Sequence, residues 1–301
     1  MKAGVIGVGK LGRIHARIYR ELDEWELVGV CDPVRHEIEY LQDVPWTGDY
    51  RALIDAGVEA VSIATPTVSH HEVAKFFLER GVHCLIEKPI AVTMDEAQDL
   101  LDTARRHNVF VMVGMVERFN QAYEEARKMI RMPQFIETHR LSPYPNRSLD
   151  ISVVLDLMIH DLDIILDLVG SPVTAIDAVG VKALSSSPDI ANARLHFANG
   201  CIANITASRI SDERMRRTRV FFESNYISLD FANHQIKAYS KDIDGIHKKM
   251  MSIPAEEPLK REILTFRRLI DQNPFSYAIA ENASSALELA LAIEQTMNSH
   301  H

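Results

Sequence analysis

A chain of 301 residues with 47% hydrophobic residues is longer than most single domains and apolar enough to build real cores, so two domains are expected. The formal net charge of −9, with no lysine-rich tail, excludes nucleic acid or an anionic membrane as the main partner, and leaves any anionic substrate to local arginines. Cys31, Cys84 and Cys201 lack metal-ligand spacing and read as small core residues in a reducing compartment; with no run of about 18 apolar residues and no charged-then-apolar leader, the expected location is the cytoplasm.

The first element is an apolar strand at 2–7, which runs into Gly7-Val8-Gly9-Lys10-Leu11-Gly12 and then into a helical pattern at 10–22. Gly7 permits the turn, Gly9 lets backbone approach a pyrophosphate, and Gly12 lets the helix pack close to the strand. The helix N-terminus, with Lys10 and Leu11, offers unpaired N–H groups to the phosphates. A second apolar run, 26–31, ends at Asp32, twenty residues past the last glycine. An acid there accepts hydrogen bonds from an adenosine ribose and repels the extra phosphate of NADP, so NAD is the expected cofactor. Arg35 and His36 could tolerate that phosphate, or simply begin a solvated helix.

Strands at 59–63, 82–86 and 109–113, with helices at 69–80 and 93–107, complete a doubly wound parallel sheet, a Rossmann domain spanning 1–116. Thr93 and Glu96 form a capping box for the last of these helices. The loop Ala64-Thr65-Pro66-Thr67 opens at the carboxyl edge of the sheet, where ligands bind. Thr65, Pro66 and His70 are therefore candidate neighbours of the nicotinamide, against the alternative of an ordinary helix start. Glu87-Lys88-Pro89 follows the fourth strand at the same edge. Beside an oxidised nicotinamide, with its positive charge, Lys88 gives up a proton more readily and could hold or relay that of a substrate hydroxyl. A cis Pro89 would turn the strand end so that the lysine points into the cleft. The competing reading is an exposed salt pair followed by a turn proline.

After Gly114 the pattern changes to a helix at 119–131 and strand-like runs at 134–141, 173–182, 190–197, 200–209, 217–223 and 225–231, then helices at 258–272 and 282–297. This is an α+β domain, 117–301, with a mainly antiparallel open sheet. Residues 153–167 read as a largely buried helix on which Asp156, His160, Asp163 and Asp167 form one polar stripe. The stripe has no Lys, Arg, Glu or Gln, which suits a functional cleft better than a solvated face. An Asp four residues before a His can orient the ring, making His160 a candidate general base. The same pair could share a zinc ion, but no further paired ligands appear and no metal is expected. Together the pieces describe hydride transfer from a carbinol carbon to the nicotinamide, with His160 or Lys88 accepting the hydroxyl proton.

With the glycine loop, the Glu87-Lys88-Pro89 turn and the Asp156-to-His160 helix in that order, the sequence resembles the glucose-fructose oxidoreductase and inositol dehydrogenase superfamily along nearly its whole length. The resemblance implies Lys88, Asp156 and His160 as the catalytic set, Glu87 with Lys88 at the cofactor, and oligomer contacts through the open sheet. A narrower likeness comes from Val113-Gly114-Met115-Val116-Glu117-Arg118-Phe119-Asn120, from 154–161, and from Asp189-Ile190-Ala191-Asn192-Ala193-Arg194. It is to bacterial UDP-N-acetylglucosamine 3-dehydrogenases, which supply a 3-keto sugar nucleotide to an aminotransferase on the way to lipid A. Relatives acting on inositols or free hexoses share the trio, and an NAD-binding regulator without catalysis is the alternative of another class. A sugar diphosphate would be met by guanidinium and loop groups: Arg118 and Asn120, then Tyr144, Asn146 and Arg147, with Arg209 at a strand end. For Arg118 the competing role is a salt bridge. The basic run Arg214-Met215-Arg216-Arg217-Thr218-Arg219 reads as a solvated edge or an oligomer contact in preference to a phosphate site.

Overall fold

The computed structural model describes residues 1–144, 151–272 and 274–299. In the first compact unit, β1 (Lys2–Ile6), β2 (Glu26–Cys31), β3 (Trp46–Thr47), β4 (Ala60–Ile63), β5 (His83–Glu87) and β6 (Val111–Gly114) form one parallel sheet in the order β3-β2-β1-β4-β5-β6. Helices α1 (Lys10–Glu21), α2 (His70–Leu78) and α3 (Met94–His107) link strands of this sheet. All four residues of β4 are buried, as in a strand covered on both faces. The strand order reverses between β1 and β4, so the loops after these strands open at the switch point of the sheet. The capping box of α3 is formed, with the Glu96 N–H donating to Thr93 Oγ1 at 3.2 Å and the Thr93 N–H to Glu96 Oε2 at 3.3 Å. The two-residue β3 is too short for a periodicity to announce it.

The second unit is an eight-stranded sheet of β7 (Phe135–Leu141), β8 (Val173–Val181), β9 (Ile190–Phe197), β10 (Ile202–Ser208), β11 (Met215–Phe222), β12 (Asn225–Asp230), β13 (Gln235–Asp242) and β14 (Gly245–Ser252). Its order is β14-β13-β12-β11-β7-β10-β9-β8, antiparallel except where β7 meets β10. Burial alternates along β7 and β10, so one face packs inward, with α4 (Gln121–Met129) and α5 (Ile159–Val169) in this unit. Strands β13 and β14 were not expected. Their 235–252 segment is polar, largely exposed and carries Lys248 and Lys249 near its end, the composition that protects a sheet edge from further pairing.

The chain ends in α6 (Pro258–Ile270) and α7 (Ala278–Ser299). The compact units are Met1–Met115 with Leu259–Ser284, and Val116–Pro258 with the chain from Ser285 onward. The expected division into 1–116 and 117–301 thus differs by the 259–284 segment, which packs with the first unit for an aromatic reason. Phe266 of α6 stacks on Trp25 at 6.0 Å and on Phe110 at 5.9 Å between ring centroids, and is fully buried.

Four residues before Phe266, Glu262 is also fully buried, and its carboxyl oxygens have no hydrogen-bond partner among the described residues. Burial, reinforced by the charge of Glu87, pushes its pKa well above the ordinary carboxyl range. A carboxyl raised in this way costs the fold least below its unfolded pKa of about 4.3, where it is protonated in both states, and the cost grows as pH rises towards the folded pKa. Glu262→Leu is expected to stabilise the protein by about 1–3 kcal/mol at pH 8 and by clearly less at pH 5. Urea unfolding at the two pH values checks this, and an equal gain at both contradicts it.

Candidate active site

In the first unit the glycine loop has the shape its sequence predicts. Gly7 has φ +84°, and a Cβ there would stand 2.6 Å from the Ala64 carbonyl oxygen. A Cβ on Gly12 would stand 1.7 Å from the carbonyl oxygen of Gly7, whereas one on Gly9 would meet nothing within 4 Å. The first and third glycines are therefore required by the protein itself, and the second faces open space where a diphosphate can approach the backbone. Helix α1 has no side-chain cap, and Lys10 and Leu11 of its first turn are exposed. Asp32 is oriented by two backbone donors, the Val8 N–H at 2.7 Å on Oδ2 and the Val34 N–H at 2.9 Å on Oδ1. A carboxylate has about four lone-pair sites, so acceptor capacity remains for ribose hydroxyls. These residues fit a dinucleotide.

Thr65 and Pro66 lie in the loop after β4, which enters a short 3₁₀ turn, Thr67–Ser69, ahead of α2. Lys88 and Pro89 are joined by a cis peptide bond, and Lys88 is half-buried. Glu87, expected at the cofactor, has its side chain turned to partners within the first unit. Its side chain is buried, with Oε1 3.0 Å from His15 Nε2, while Oε2 accepts the Lys88 N–H at 3.3 Å. Burial alone would raise the Glu87 pKa, but His15 and Lys88 hold it below the usual value. The other ring nitrogen of His15 lies 3.0 Å from Ser62 Oγ, which is 2.8 Å from the Tyr19 hydroxyl. His15 is nearly silent in the sequence. Its one signal is its place three residues after Gly12, on the buried face of α1.

In the second unit Asp156 and His160 are both half-buried. The turn Val154–Met158 is a π-helix, with the Ile159 N–H donating to the carbonyl of Val154. One extra residue in the turn rotates the residues before it by about 100° relative to those after it. Asp156 lies within this turn, so a uniform count of 3.6 residues does not fix its face relative to Asp163 and Asp167. Asp163 and Asp167 of the expected stripe are structural. Arg118 donates to Asp163 through Nε at 2.5 Å and Nη2 at 2.9 Å, and its Nη1 lies 3.1 Å from Asp167. Asp167 also receives Arg127 and the Tyr123 hydroxyl.

Arg118 and Asn120, expected at the substrate, both have partners within the protein. Arg118 is engaged by two carboxylates. Asn120 is buried, caps α4 by accepting the Ala122 N–H at 3.0 Å, and donates to the Phe231 carbonyl at 3.2 Å. Arg209 is fully buried against Asp189 and donates to the Ile151 carbonyl at 2.8 Å, pinning the backbone just before the π turn. Burial works against the Asp189 charge, but the Ser185 hydroxyl, the Leu184 N–H and Arg209 hold its pKa well below the carboxylate range. In the basic run, Arg216, Arg217 and Arg219 pair with Glu117, Asp230 and Glu137. Tyr144 is exposed just beyond β7, and Asn146 and Arg147 lie outside the described residues.

Removing Arg118 leaves Asp163 buried without its partner, so Arg118→Ala is expected to cost about 3–5 kcal/mol of stability. Urea denaturation gives the loss directly. An unchanged midpoint with a raised substrate KM would restore Arg118 to the substrate.

A family model described as an oxidoreductase family with an NAD-binding Rossmann fold matches residues 1–115, and that of the GFO/IDH/MocA C-terminal domain matches 130–228. The chain is 36% identical to UDP-N-acetylglucosamine 3-dehydrogenase of Acidithiobacillus ferrooxidans, over 98% of this chain and 97% of that protein. It is 27% identical to scyllo-inositol 2-dehydrogenase (NAD(+)) of Bacillus subtilis, over 70% of this chain and 68% of that one. A solved structure of the Acidithiobacillus ferrooxidans UDP-N-acetylglucosamine 3-dehydrogenase matches with a TM-score of 0.92 at 34% identity, covering 99% of this chain and 98% of the other.

Proposed function

This chain belongs to the oxidoreductase family with an NAD-binding Rossmann fold, and from that premise we propose that it oxidises the C3 hydroxyl of UDP-N-acetylglucosamine to the ketone. The observation that carries the substrate is the similarity, along 98% of the chain, to an enzyme of that name. The glycine loop and Asp32 support NAD as the cofactor. Bound NAD supplies the acceptor for the hydride.

The chain's own task is the proton. As the C3–H bond breaks with its electron pair and the carbonyl forms, the hydroxyl proton passes to the Lys88 amine or the His160 imidazole. Asp156, four residues before His160, completes the proposed catalytic set. With Arg118, Asn120 and Glu87 engaged inside the protein, Tyr144 and Arg147 are the candidates for holding the sugar nucleotide. The same reading includes a homo-oligomer built through the open face of the second sheet, where Val179, Val181 and Phe221 are exposed.

The direct test mixes protein, NAD and UDP-N-acetylglucosamine with glutamate and a sugar 3-aminotransferase to draw the ketone forward. NADH together with an amino-sugar nucleotide supports the assignment. Reduction of NAD only by an inositol or a free hexose moves the substrate to an uncharged polyol, and silence with all of them favours a regulator. Lys88→Ala is expected to lower kcat by about 10²-fold or more while NAD still binds. Turnover and NAD titration on the one preparation separate these effects.

A further inference from the structure

His70 begins α2 with both ring nitrogens on backbone carbonyls. Nδ1 is 2.9 Å from the oxygen of Pro89, and Nε2 is 2.9 Å from the oxygen of Thr65. A carbonyl can only accept. A neutral imidazole carries a single N–H, so it satisfies one of the two oxygens and turns a lone pair towards the other; the imidazolium alone donates to both. The surroundings pull in opposite directions. The ring is 1% exposed, and this burial lowers its pKa below the ordinary histidine value, against the two carbonyls and Glu87, which raise it; Lys88 adds to the lowering.

Glu87 and Lys88 are the charged groups facing the ring from the β5 turn. On the α3 side, His71 and Lys75 both bond Asp99, each at 2.7 Å. The carbonyls that His70 joins belong to the two loops at the carboxyl edge of the sheet, after β4 and after β5. The Pro89 contact is buried and the Thr65 contact only partly so. A neutral ring therefore keeps its N–H on Pro89, because an unpaired carbonyl costs more where water cannot reach it.

We propose that His70 is a proton-dependent positioning residue: as an imidazolium it fastens the Thr65 loop to the Lys88–Pro89 turn, and as a neutral ring it holds Pro89 and releases Thr65. The Lys88 turn is then held in both states, and the Thr65 loop in one. The functional meaning rests on the proposal that this edge receives NAD, whereas the clasp does not.

The test uses the full chain without cofactor, isotopically labelled so that NMR reports the His70 ring nitrogens and the carbonyl carbons of Thr65 and Pro89 between pH 5 and 8.5. The expected result is two ring N–H groups at low pH and an Nδ1–H tautomer at high pH. The Thr65 carbonyl resonance should shift at the same midpoint while that of Pro89 stays. In His70→Asn, which cannot titrate, the Thr65 shift should vanish. A ring that keeps one protonation state throughout overturns the proposal, and this arm needs no variant. A Thr65 resonance that titrates unchanged in His70→Asn overturns it too. Adding NAD to the wild-type protein tests the cofactor reading separately: unmoved resonances at Thr65 and Pro89 would remove NAD from this edge and leave the clasp standing.

Discussion

The first unit depends on how closely α1 approaches the strand before it. Any side chain at position 12 would collide with the Gly7 carbonyl, since even a Cβ would lie 1.7 Å from that oxygen. That approach does more than present backbone N–H groups to a diphosphate. It brings the buried face of α1 onto the sheet, where His15 meets Ser62 of β4 and Glu87 of β5. One glycine therefore couples the phosphate-binding turn to the strand end that carries Lys88. The Glu87 carboxylate is fixed in turn, because the His15 ring and the Lys88 backbone both face it.

In the second unit buried charge does the corresponding work. Arg118 with Asp163 and Asp167, Arg140 with Asp161 and Glu117, and Arg209 with Asp189 are guanidinium–carboxylate sets inside the protein. The planar fork of arginine suits such pairing, and the paired geometry leaves little of it for a ligand. These sets anchor α5 to the residues before α4 and to β7, and tie the backbone ahead of the π turn to the end of β10. The positions of Asp156 and His160 depend on them.

What the sequence made legible were the features whose cause is local. The glycine triplet, Asp32, the capping box at Thr93 and the apolar periods of the first sheet each need only a few neighbouring residues. What it concealed were partners far along the chain. Arg118 looks the same whether it faces a diphosphate or an aspartate 45 residues on, and Glu87 looks the same whether it faces a cofactor or a histidine 72 residues back. Nor did the sequence announce the π turn within the Asp156-to-Asp167 segment, since such a turn leaves no mark in a count of 3.6 residues per turn. Strands β13 and β14 were hidden because a protected edge lacks the apolar alternation by which a strand is recognised.

The return of α6 to the first unit has a consequence for the gene. Its coding sequence for the nucleotide-binding half is split, with 143 codons of the other half, 116–258, lying between its two pieces. A break after codon 116 yields a polypeptide in which Trp25 and Phe110 face water in place of Phe266. Such a protein cannot acquire a new substrate half by a single crossover at that point. The second half is itself in two pieces, 116–258 and the chain from 285 onward, and both have to be exchanged together.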